Sequence, residues 1–77
     1  MARPAINEAR SRLHLELPER VRNRLEEIRV LSEADSLTEV VRRALAVYDV
    51  LLVAVRDRKE KVVLRSEDGK ERELVIP

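Results

Sequence analysis

The chain has no cysteine, no tryptophan and no phenylalanine, and only one glycine, one histidine and one tyrosine in 77 residues. Without cysteine there is neither a disulfide nor a thiolate metal site. A single histidine does not build a histidine metal cluster, so no metal or other cofactor is expected. One glycine cannot make a glycine-rich phosphate loop, and no nucleophile stands beside a base, so no catalytic residue is assigned. The longest apolar run, Val50–Val55, is far short of a membrane span. The first ten residues lack the apolar core of a secretory signal. A soluble, cytoplasmic setting without membrane contact is the expectation.

A chain this short builds a marginal core by itself. With disulfide and metal excluded, a second copy is the remaining stabiliser. Hydrophobic residues make up 44% and charged residues 40%, which is the composition of a patterned chain, not of a disordered tail. The net charge of +1 hides an uneven layout. Residues 1–24 carry six arginines against Glu8, Glu16 and Glu19; residues 25–39 carry Arg29 against five acids. The basic third is read either as a solvated surface or as a face toward a polyanion, and charge alone favours the former.

Residues 1–10 show no periodicity and are read as a mobile arm. Residues 11–17, Ser-Arg-Leu-His-Leu-Glu-Leu, alternate strictly. Leu13, Leu15 and Leu17 point one way, while Arg12, His14 and Glu16 point the other, which is the pattern of a half-buried strand. A lone strand leaves its backbone unpaired, so it needs either the C-terminal residues or another copy of itself. Pro18 ends the alternation and suits the start of a helix expected over 18–32, with Val21, Leu25 and Ile28 at helical spacing. Ser36-Leu37-Thr38-Glu39 reads as a capping box opening a second helix over 37–59. Between the helices, Asp35 is the residue that best tolerates a left-handed backbone.

The second helix is apolar beyond one stripe. Val41, Leu45, Tyr48 and Leu52, joined by Leu13, Leu15 and Leu17, are the expected dimer core. Residues 60–77 read as a β-hairpin around Asp68-Gly69. A two-residue loop sets Arg65 against Arg72. A three-residue Glu67-Asp68-Gly69 loop pairs Arg65 with Glu71 and gathers Val62, Leu64, Leu74 and Ile76 on one face, so the second register is preferred.

RLHLELPERVRNRLEEI followed by DSLTEVVRRAL resembles the ribbon-helix-helix family of DNA-binding proteins (MetJ/Arc/CopG type) over residues 11 to about 55. The resemblance implies a mainly α fold with short β, a β-α-α intertwined homodimer over 11–59, extended here by the hairpin. It also implies a transcriptional regulator, a repressor or autorepressor, whose paired strands enter the major groove of double-stranded DNA. Arg12, His14 and Glu16 would contact bases. The amides around Ser36, Leu37 and Thr38 would hold a phosphate, with Arg3 and Arg10 reaching others. Each has a plainer reading: exposed polar filler for His14, capping for Ser36, a disordered arm for Arg3 and Arg10. The alternative function is an antitoxin-type protein-interaction module whose hairpin binds a partner protein. A tetramer, formed on DNA or through the hairpin, is the larger assembly considered.

Overall fold

The structure, a computed structural model, describes residues 9–77. Its elements run α1 (Glu19–Leu31), α2 (Leu37–Arg56), β1 (Val62–Arg65) and β2 (Glu71–Leu74). The order is therefore α-α-β-β. This overturns the β-α-α architecture expected from the resemblance: residues 11–17 form no strand. The reason is physical. Alternation of side chains prepares a segment for a sheet, but only a neighbouring ladder makes it one. The two strands among the described residues pair with each other. Residues 11–17 thus have no partner strand among the described residues, and all seven are exposed.

Pro18 is the N-cap of α1, extended at φ −54°, ψ 146°, and its carbonyl accepts from the Val21 and Arg22 amides at 2.9 and 3.0 Å. Proline fits here because the cap needs a carbonyl and no N–H. Glu19 in the first turn and Arg29 in the last complement the helix dipole. Arg24–Glu27 and Arg29–Glu26 pairs run along the surface. The Arg29 guanidinium holds the Glu26 carboxyl below the usual carboxylate range, chiefly through their hydrogen bond.

α1 closes in a Schellman turn. The Ala34 amide reaches back to the Arg29 carbonyl at 3.0 Å and the Glu33 amide to the Val30 carbonyl at 3.1 Å. The left-handed residue is Glu33, at φ 55°, and not Asp35. Position decides this: the motif places its left-handed residue directly after the cap, Ser32, and Asp35 comes two residues too late. Arg29 Nη1 donates to the Ala34 carbonyl at 3.3 Å and Arg43 Nη1 to the Ser32 carbonyl at 3.0 Å, tying the turn to both helices. Ala34 and Val40, 3% and 5% exposed, are the buried core among the described residues.

α2 ends at Arg56, three residues before the expected end at 59. Lys59, at φ 57°, takes the left-handed conformation that turns the chain away. No helix among the described residues is long and apolar enough to cross a membrane.

The hairpin takes the three-residue-loop register, with Val62 opposite Leu74 and Arg65 opposite Glu71. Arg65 Nε donates to Glu71 Oε2 at 2.6 Å. The Ser66 amide extends the pairing to the Lys70 carbonyl at 2.8 Å, leaving Glu67-Asp68-Gly69 as the loop. Gly69 stands at φ +88° with open space around it, a conformation that suits glycine. β1 lies against α2, and the Tyr48 hydroxyl donates to the Pro77 carbonyl at 2.9 Å.

Candidate nucleic-acid interface

Residues 11–17 lie beside the start of α1 and the start of α2. Together they line a groove of about 890 Å³. Leu13, Leu15 and Leu17 face it with Leu25, Leu37 and Val41, and Arg12, His14, Arg22 and Arg42 share the lining. The leucines are not covered: Leu13 is 78% exposed. The expected dimer core is likewise open in the single chain. Leu45 is 64% exposed, Tyr48 is exposed in part, and Val41 and Leu52 are half-buried. The structure thus brings the predicted base-contacting residues and the predicted core leucines to one place. Arg10 is exposed outside the groove, and Arg3 lies outside the described residues.

The start of α2 carries the second part of the site. Ser36 is extended at φ −156°, ψ 165°, and its hydroxyl accepts from the Glu39 amide at 3.1 Å. This is one half of the capping box. Glu39 does not reach back to Ser36. Its carboxylate instead accepts from Arg42 Nη1 at 2.8 Å and Arg43 Nε at 3.1 Å. Two guanidiniums outcompete one amide because they are charged. The Leu37 and Thr38 amides have no acceptor among the described residues. They stand free at the positive end of the helix dipole, and the arginines neutralise the acid nearest to them.

No family model, curated protein or solved structure matches the chain. The likeness to a DNA-binding family therefore rests on the residues quoted for it. What the site can do follows from its own chemistry. It offers cationic and neutral donors on an exposed segment, free amides at a helix start, and an apolar groove between them.

Arg42 was not among the expected contacts. Its signal lay in the sequence nonetheless: it falls one turn inside α2, on the edge next to Thr38, where a cation adds to the free amides. Arg22 lies one turn after Pro18 and joins the groove for the same geometric reason.

Proposed function

We propose that the chain acts as a DNA-binding homodimer that regulates transcription as a repressor or autorepressor, in a cytoplasmic, nucleoid-associated setting. One observation carries the reading. An exposed segment that carries Arg12, His14 and Glu16 among Leu13, Leu15 and Leu17 lies beside the free amides of a helix start. Two copies, with their 11–17 segments side by side, bury the leucines and turn Arg12, His14 and Glu16 toward the major groove. Arg12 pairs bidentately with guanine O6 and N7, a contact worth about 1–3 kcal/mol of discrimination. Glu16 accepts from cytosine N4 or holds a partner's arginine, since it is repelled by phosphate. The Leu37 and Thr38 amides take a phosphate, with Arg42 beside them.

With a net charge of only +1 per chain, placed contacts outweigh bulk attraction. The test is selection of bound sites from random duplex DNA, followed by mobility-shift assays. Arg12→Ala is expected to remove sequence preference, with the circular dichroism spectrum unchanged. Undiminished specific binding by that variant, or no enriched site for the wild type, defeats the reading.

A second reading, a protein-interaction module of antitoxin type, draws on the hairpin. Val63 and Val75 stay exposed on its outer face, and such a face suits a protein better than a nucleic acid. A selection that enriches no DNA while a partner protein co-purifies with the full chain favours it.

A further inference from the structure

Of the aspartates Asp35, Asp49, Asp57 and Asp68, only the last precedes a glycine. That pair has a chemistry of its own. A main-chain amide nitrogen can attack the side-chain carboxyl of the aspartate before it. A side chain on the attacking residue crowds the ring that forms, and glycine has none. Ser36, Val50 and Arg58 follow the other aspartates, and Asp49 lies inside α2. Gly69 is exposed, at φ +88°, and nothing stands within 4 Å of where a Cβ would sit. Space therefore does not oppose ring closure at Asp68.

Hydrogen bonds oppose it. The Gly69 amide donates to the Ser66 carbonyl at 2.9 Å. Asp68 Oδ1 accepts from the Ser66 hydroxyl and, at 3.1 Å, from the Lys70 amide. Lys70 Nζ stands 3.9 Å from Asp68 Oδ2. Hydrogen bonds to a carboxylate favour its ionised form, and here the serine contributes most. Ring closure needs the opposite. The carboxyl must be neutral, so that its hydroxyl can leave, and the amide nitrogen must be free of its acceptor.

We propose that Asp68–Gly69 is a site of spontaneous isomerisation to isoaspartate, held in check by the folded loop and released when the loop opens. In the open loop the Gly69 nitrogen bonds to Asp68 Cγ. The amide proton and the carboxyl hydroxyl depart together as one water, leaving a cyclic imide. A second water opens the ring. Attack at Cγ restores aspartate. Attack at the main-chain carbonyl carbon leaves the chain running through Cβ and Cγ, with the former main-chain carbonyl as the free carboxylate. Nothing is oxidised or reduced, and water is the one co-reactant. The product carries an extra methylene in a loop whose three-residue length sets Arg65 opposite Glu71. A modified chain therefore closes its hairpin less well. Isoaspartate accumulates in proportion to the time a chain has spent with its loop open.

The test ages full-length protein in warm neutral buffer, folded and in denaturing urea. Isoaspartate is read by isoaspartate-specific enzymatic methylation and located by mass spectrometry of the digested chain. Ser66→Ala removes the hydroxyl and leaves the Ser66–Lys70 backbone bond that closes the loop. Losing an exposed bond of this kind is expected to quicken isomerisation at Asp68 about twofold or more. Ser66→Thr, which restores the hydroxyl, is expected to return the wild-type rate. Urea is expected to quicken it further still, and in folded protein Asp35, Asp49 and Asp57 are expected to stay unmodified. No isoaspartate at Asp68 even in urea overturns the site. Equal rates in folded and urea-unfolded chains overturn the check by the fold. A Ser66→Ala rate equal to wild type, or one that Ser66→Thr does not reverse, overturns the part given to the loop's hydrogen bonds.

Discussion

Glu33 and Lys59 hold left-handed backbone without being glycine, each just past a helix end. For an L-residue this costs roughly 1–2 kcal/mol. At Glu33 the cost is offset by the two Schellman hydrogen bonds and by the burial of Ala34 that follows. The Glu33 side chain accepts no hydrogen bond among the described residues and is exposed. Glu33→Gly is therefore expected to stabilise the chain by about 0.5–1 kcal/mol in urea denaturation. Destabilisation there would show that the Glu33 side chain has a role the turn geometry does not reveal. The turn was only partly legible in the sequence. A turn after Leu31 could be read from the end of the apolar spacing, but side-chain tolerance pointed to Asp35. The hydrogen-bond frame of the helix end, which no single residue announces, placed the strain at Glu33.

The hairpin is the element whose details the sequence carried best, because charge chose between two registers. Arg65 against Arg72 repels, whereas Arg65 against Glu71 attracts, and the structure has the latter. Its loop adds an acid-sensitive fastening. The Ser66 hydroxyl and the Lys70 amide both donate to the Asp68 carboxylate, and these bonds hold its pKa below the ordinary aspartate value, the serine contributing most. A depressed carboxyl pKa stabilises the fold fully above the ordinary value. That contribution is lost as pH falls below it and through the folded value. The Gly69 and Lys70 amide resonances are expected to shift as pH falls below about 4, marking a fraying loop. Asp68→Asn should abolish that step; an unaltered acid transition in the variant assigns it elsewhere. The segment 11–17 is the opposite case. Its alternation is as clear as any in the chain, yet a strand is a relation between two segments, and among the described residues β1 and β2 pair with each other and leave it without a second. Half of the candidate site was legible on the same terms. Arg12, His14 and the leucines could be read from alternation, but Arg42 entered through the packing of α2 beside the segment.

The whole molecule is open for its length. Its radius of gyration is 17.0 Å, against ~11–12 Å for a compact chain of this size. Among the described residues, two buried core residues do not hold two helices and a hairpin against the entropy of ordering them. Stability is therefore expected to rise with protein concentration, as it does where folding and association are linked. Leu45→Asp separates this from monomer stability. At an exposed site on a monomer the change costs within about 0.5 kcal/mol. At a dimer core it costs several kcal/mol, by burying an unpaired charge. A midpoint of thermal unfolding that ignores both concentration and Leu45→Asp would mean that the chain stands alone. The Tyr48–Pro77 contact has a further consequence for such measurements. Tyr48 is the chain's one aromatic side chain, and its phenol donates to the Pro77 carbonyl. Its ultraviolet emission is thus free of any tryptophan background and reports a single site. Whatever displaces the hairpin writes its signal into the brightness of one phenol, with no label added.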